Sequence, residues 1–131
     1  MFDNDTRTLL EKPLIARLAT HGHDGYPHVV PVWFMLDGND VMFISERDAR
    51  KVKNITANSK AAVTIGGDSD ANRGYMIKGE CTVEEDVDFG WLKRITYHYE
   101  DKEQADKDIA EWSQDDMIAI RMRPSRVITV Y

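Results

Sequence analysis

The sequence predicts an α+β or small-barrel domain: mainly antiparallel β, with helices at its periphery. Three observations carry that expectation. Short, β-branched apolar stretches recur between turn residues, giving six or seven strand candidates. Residues 75–84 alternate strictly, with Tyr75, Ile77, Gly79, Cys81 and Val83 on one side and Met76, Lys78, Glu80, Thr82 and Glu84 on the other. Helical spacing is confined to a few stretches between strands. A strand-rich chain with separate helices packs as an α+β or small-barrel fold, and 131 residues suit one domain over 1–131.

Taken in order, residues 6–11 read as a short helix behind Asp5 or Thr6 as N-cap, ended before Pro13. Residues 14–20 read as a strand, and His21-Gly22-His23-Asp24-Gly25 as a turn. The run 27–36 is apolar at nearly every position, which predicts one strand covered on both faces. Pro31 inside it removes a ladder donor and marks a bulge or an unpaired edge. Asp37-Gly38-Asn39-Asp40 is a hairpin turn leading into a strand at 41–45.

Val52 and Ile55 sit at helical spacing within 47–59, interleaved with Arg50, Lys51 and Lys53. A strand at 60–65 and a glycine-and-acid loop at 66–72 precede the alternating strand. Val87, Trp91, Ile95 and Tyr99 recur every four residues and predict a helix with one apolar stripe. Ala105, Ile109 and Trp112 give a second, shorter helical face. A strand at 117–122, a turn at Pro124-Ser125 and a closing strand at 126–131 complete the chain.

The net charge of −6 argues against general nucleic-acid binding, which needs a basic surface. Its location matters more than its size. Eight carboxylates and two lysines between Glu100 and Asp116 account for all of it. The remainder is neutral overall, with a local net charge of +3 from Arg47 to Lys53. The acidic segment reads as a solvated helix with its flanks, and a lid or partner-binding role is the other reading. Cys81 is the only cysteine, so neither an internal disulfide nor a cysteine-based zinc site within one chain is available. Cys81 falls on the inward side of its strand and reads as an inert thiol. The acidic start Met1-Phe2-Asp3-Asn4-Asp5 is unlike a signal peptide, and no window approaches the roughly 20 apolar residues of a membrane span. The expectation is a cytoplasmic protein.

Two constellations could carry chemistry. Ser45, Arg50 and Lys51 lie where a strand ends and a helix begins, and unsatisfied amides at a helix start favour an anion. A hydroxyl, a guanidinium and an ammonium together suit a phosphate, although spacing alone does not separate this from a solvated basic face. The run 27–36 offers a donor-poor wall for an aromatic ring, or ordinary core. His21, His23, His28 and His98 lack a metal-binding spacing, no G-x-S-x-G elbow is present, and Gly66-Gly67-Asp68 has no lysine to make it a phosphate loop.

These residues together resemble the pyridoxamine 5′-phosphate oxidase-like, FMN-binding split β-barrel superfamily. The resemblance rests on Ala16-Arg17-Leu18-Ala19-Thr20, on Asp24-Gly25 through Trp33-Phe34, and on Arg50-Lys51-Val52-Lys53-Asn54-Ile55. It covers residues 9–85, with 86–131 as a helical insertion and closing strands. It implies a six-stranded antiparallel Greek-key split β-barrel, a homodimer, and FMN in clefts at the subunit interface. It carries phosphate-ligand roles to Ser45, Arg50 and Lys51, and ring and ribityl contacts to Val30, Pro31, Val32 and Trp33. Lys53 and Asn54 are further cofactor candidates. The residue before Arg50 is often a small hydroxyl in this family, and here it is Ala49.

The family's pyridoxamine phosphate oxidases grip their substrate with a C-terminal arginine-and-histidine motif. This sequence has no histidine after His98, so the resemblance does not carry that substrate. It implies an FMN-dependent oxidoreductase or reductase acting on a small molecule. Coenzyme F420 is the alternative cofactor, and a flavin-binding or sensing module without turnover is the alternative role.

Overall fold

The computed structural model describes residues 1–68 and 73–130. Residues 69–72 of the expected loop, and the last residue of the expected closing strand, lie outside them.

Helix α1 (Asn4–Leu10) starts two residues earlier than expected, because the Asp3 carboxylate accepts the Thr6 amide at 2.8 Å and caps it. Strand β1 (Ala16–His21) is followed by β2 (Pro27–Val32), β3 (Met35–Asp37), β4 (Asp40–Glu46) and helix α2 (Arg50–Ala57). Strands β5 (Lys60–Gly66) and β6 (Gly74–Glu85), helices α3 (Gly90–Tyr99) and α4 (Lys102–Trp112), and strand β7 (Met117–Thr129) complete the order. Gly38 supplies the positive φ of 61° that the β3–β4 turn requires.

The seven strands form one antiparallel sheet in the order β2-β1-β5-β6-β7-β4-β3. The expected barrel of six strands is therefore corrected to an open sheet of seven. The six came with the resemblance; against the seven stretches read from the residues, two departures cancel. The run 27–36 breaks at Trp33-Phe34 into β2 and β3, while the two expected C-terminal strands are one continuous β7. Pro124 does not end β7, because it stands at a bulge: Gly79 pairs with Pro124 and Lys78 with Arg126, leaving Ser125 as the extra residue. A Cβ on Gly79 would lie 2.4 Å from the Arg123 carbonyl oxygen, so only glycine fits there.

The edge strands β2 and β3 are consecutive in sequence. Seven flat strands would set the two edges about 29 Å apart, yet Val32 and Met35 can be no more than about 11 Å apart along the chain. The sheet must curl until its edges approach, leaving a seam in place of closure. Its interior holds Leu18, Phe43, Val63, Ile77, Ile118 and Ile120, with Phe34 from the seam and Val52 and Ile55 from α2. Cys81 belongs to the same cluster, where burial pushes its thiol pKa up to about 12.

Strand β2 is an edge, one of the two outcomes Pro31 predicted. Its expected burial on both faces is not found: Val30 and Val32 share the inward face of Leu18 and Ala16, whereas Val29 and Pro31 are exposed. The helix expected from Val87 also begins later. Asp88 and Phe89 have positive φ values of 55° and 56°, and the Asp86 carboxylate accepts the amides of Trp91 and Leu92. The buried stripe is consequently Leu92, Ile95 and Thr96, and Val87 is exposed.

Candidate functional site

A cleft of about 470 Å³ lies outside the seam, within the range usual for small-molecule sites. Pro31, Val32 and Trp33 form one wall, where β2 breaks. Ile44 and Met117 form the floor, on the outward faces of β4 and β7. Lys51 of α2 and Trp112 of α4 complete the lining.

The seam is held by Tyr99. Its hydroxyl accepts the Phe34 amide at 3.1 Å and donates to the Leu14 carbonyl oxygen. Both backbone groups lie just beyond the last β1–β2 pair, Ala16 with Val32, and one side chain satisfies them. Burial pushes the Tyr99 pKa up to about 12, so it remains a donor through the neutral range. Its ring stacks on Trp33 at 4.7 Å between centroids and 7° between planes. Trp112 meets Trp33 at 6.1 Å and 65°. One face of Trp33 is thus occupied and its orientation fixed, and the two indoles make a corner.

Charge in the cleft is mixed. Lys51 is half-buried, and that burial lowers its pKa while the nearby Glu46 carboxylate opposes the shift. Helix α2 begins behind Ala49, whose side chain caps nothing, so its first amides remain available to an anion. Glu46 and Asp115 also line the cleft.

Arg47 is employed differently from its neighbours. It donates to Asp116 at 2.8 Å and to Glu85 at 2.7 Å, and its amide donates to the Asp116 carbonyl oxygen. It ties the end of the acidic segment to the corner that carries Lys51. The basic cluster available to a ligand is therefore Arg50, Lys51 and Lys53.

Of the residues singled out by sequence, Pro31, Val32, Trp33 and Lys51 come together in this cleft. Arg50 opens α2 beside Lys51 and is exposed, as is Lys53. Val30 faces the interior opposite Leu18. Ser45 is buried on the core side of β4 and donates to the Glu46 carbonyl oxygen. Asn54 is buried and donates to Thr20 Oγ1 at 3.1 Å. Ser45 and Asn54 thus already serve the fold.

Sequence reasoning missed Trp112, Asp115, Met117, Ile44 and Tyr99. Trp112 and Tyr99 did stand out as apolar positions of helical stretches. Nothing local showed that those stretches fold back over the α2 corner.

A second cleft, of about 650 Å³, lies on the outer sheet face over Ala19, Ala62 and Gly79, with Lys60, Lys78 and Tyr26 around it. The outward residues Val29 and Pro31 of β2 connect the surroundings of the two clefts.

Several solved structures share this fold. An F420 reductase is 24% identical with a TM-score of 0.78, over 97% of this chain and 98% of that one. General Stress Protein 26 from Bacillus anthracis is 16% identical with a TM-score of 0.69, over 94% and 88%. HupZ of Group A Streptococcus is 18% identical with a TM-score of 0.68, over 99% and 94%. At these identities the likeness shows the fold. No curated protein gives a significant sequence match. The sequence matches the family described as pyridoxamine 5′-phosphate oxidase over residues 2–131, nearly its whole length, and the chain belongs to that family.

Proposed function

We propose that the protein is an FMN-binding oxidoreductase, related to flavin reductases, that holds its cofactor in the seam cleft. The observation that carries this reading is the convergence of Lys51 and the uncapped start of α2 with an aromatic corner. A phosphate needs the first pair of features and a planar ring needs the second. The donor set present therefore fits a phosphorylated flavin. When bound, such a group supplies hydride or electron transfer, and the protein supplies position and exclusion of water. Arg50 and Lys51 neutralise the phosphate, with Lys53 adding to the local field. Ser45 and Asn54 support this corner from the core side, and Val30 anchors the β2 wall opposite Leu18. Trp33, held by Tyr99, presents a rigid edge and face to the ring.

Coenzyme F420 is the second reading, favoured by the full-length likeness to an F420 reductase. It carries a phosphate and a flat ring, so the same residues would serve. A flavin-binding module without turnover would use the site in the same way.

The cofactor is proposed to lie at a homodimer interface. Support comes from the apolar strip beside the cleft, where Tyr26 is 73% and Val29 56% exposed, continuing through Pro31 to Ile15. Light scattering is expected to give a dimer, and Val29→Arg a monomer with weakened FMN binding. A wild-type monomer that binds FMN fully would contradict this part.

The function is tested by titrating the purified protein with FMN and with F420 and identifying whatever ligand it releases on denaturation. Binding of one of them, with reduction of the bound group by a nicotinamide donor or reoxidation by an acceptor, is expected. Binding of neither overturns the reading; binding without any redox turnover leaves the sensing module.

A further inference from the structure

We infer that the larger cleft, on the outer sheet face, is a second binding site, for a small molecule carrying two or more acid groups. This site is independent of the cofactor proposed for the seam.

The bulge in β7 creates it. Residues directly opposite in an antiparallel pair share a face, and faces alternate along each strand. Arg123 stands opposite Glu80 and faces outward, and Pro124 stands opposite Gly79 and faces inward. Strict alternation from Arg123 would turn Arg126 into the core. The extra residue, Ser125, resets the pattern: Arg126 stands opposite Lys78, and both are exposed on the outer face. Val127 returns to the core opposite Ile77. Ser125 Oγ donates to the Lys78 carbonyl oxygen at 3.1 Å and ties the bulge to β6.

The result is a conflict of charge. Like charges directly opposite on adjacent strands have Cβ atoms about 5 Å apart and destabilise the pair. Lys60 stands opposite Glu80, which makes it a diagonal neighbour of Lys78 at about 7–8 Å. Among the described residues, Lys60, Lys78 and Arg126 make no ion pair. Glu80 is the one carboxylate in the cleft lining, and it accepts the Ser59 hydroxyl at 3.3 Å. Three cations are thus left together on a chain whose net charge is −6. A local arrangement that works against stability is expected where a ligand relieves it. A singly charged anion cannot offset three cations, so the ligand carries at least two acid groups.

The cleft has the room and the polarity for such a molecule. Its volume of about 650 Å³ is usual for a small-molecule site. Across β7, β6, β5 and β1 one row runs Arg126, Lys78, Ala62, Ala19. The acid groups lie at the β6–β7 end of that row, and the two alanines leave space for the remainder. Tyr26 and Pro27 line the cleft toward the β2 end.

The test is calorimetric titration of the purified protein at low ionic strength with pyrophosphate and with citrate, and with acetate as the singly charged control. At least one polyanion is expected to bind, and acetate is not. The tighter of the two tells whether the natural ligand bears phosphates or carboxylates. Binding is expected to persist when Arg50→Ala and Lys51→Ala together remove the α2 corner. Lys78→Gln and Arg126→Gln are each expected to weaken it about tenfold, as loss of a hydrogen bond to a charged group does, and the double variant to abolish it. Without any anion, Lys78→Gln is expected to melt above the wild type, because the opposed charges are gone; a lysine that served only the fold would give a lower melting temperature.

Absence of polyanion binding up to about 5 mM, or acetate binding as tightly as the polyanions, overturns the inference. So does binding that survives in the Lys78→Gln, Arg126→Gln double variant, or that disappears with Arg50 and Lys51. A Lys78→Gln protein that melts below the wild type removes the charge conflict and the inference with it.

Discussion

The two clefts differ in a way that size does not predict. The larger one, on the outer sheet face, is floored by Ala19, Ala62 and the backbone of Gly79 and bordered by two lysines, Lys60 and Lys78. The smaller one, at the seam, has a clamped indole, a second indole at its corner and a lysine whose pKa burial has lowered. A sheet face yields a groove wherever small residues line up across strands. A seam yields unpaired backbone groups and converging elements, and these position side chains in three dimensions. The comparison teaches that this fold gathers its fixed, converging side chains where the sheet fails to close.

The largest effect on that comparison is expected from Gly79→Ala. Its Cβ would meet the backbone of Arg123, with no flexible side chain to yield. A loss of about 3 kcal/mol in denaturant unfolding is expected. The variant strains the floor of the outer cleft, so the fraction that remains folded keeps its flavin affinity.

Next is Tyr99→Phe, at the other cleft. It removes the partner of the Phe34 amide and of the Leu14 carbonyl in one step, at an expected cost of about 2 kcal/mol. Here flavin affinity is expected to fall as well, because Trp33 loses its fixed orientation. Equal effects of these two variants on binding would remove the distinction between the clefts.

A pH titration sharpens it further. Lys51 attracts phosphate only while protonated, and burial places its pKa below that of an exposed lysine. The ratio of FMN to riboflavin affinity is therefore expected to fall on the alkaline side before exposed lysines titrate. A ratio that stays flat until ordinary lysines lose their protons would remove Lys51 from the phosphate site. The smallest effect is expected from Lys60→Ala with Lys78→Ala, which should leave FMN affinity within about twofold, since solvated surface charges contribute little at a distance.

Much of the fold was legible because its local patterns were pure. The alternation at 75–84 became β6 and the apolar run at 60–65 became β5, each within a residue or two. The run 27–36 was not, because its residues are apolar whether they face the core, as Val30 does, or solvent, as Val29 does. Hydrophobicity cannot mark a seam that is set by curvature of the whole sheet. Pro124 misled for a related reason: the bulge that tolerates it depends on Gly79, on another strand.

The site was legible where it is local and illegible where it is assembled. Lys51 and Trp33 carry their character in neighbouring residues. Arg47 counted toward the local charge of +3, and its partners lie 38 and 69 residues away in Glu85 and Asp116. Those same contacts bring the acidic segment to the cleft. Local sequence placed it outside the site, and Trp112 and Asp115 place it inside.

The central claim is that the α2 corner holds a phosphorylated cofactor at the seam. The most direct measurement is flavin occupancy of the protein carrying both Arg50→Ala and Lys51→Ala, reconstituted with FMN beside the wild type and checked for fold by its melting curve. The account predicts a folded protein that retains essentially no flavin after gel filtration. Full occupancy in the double variant would contradict it.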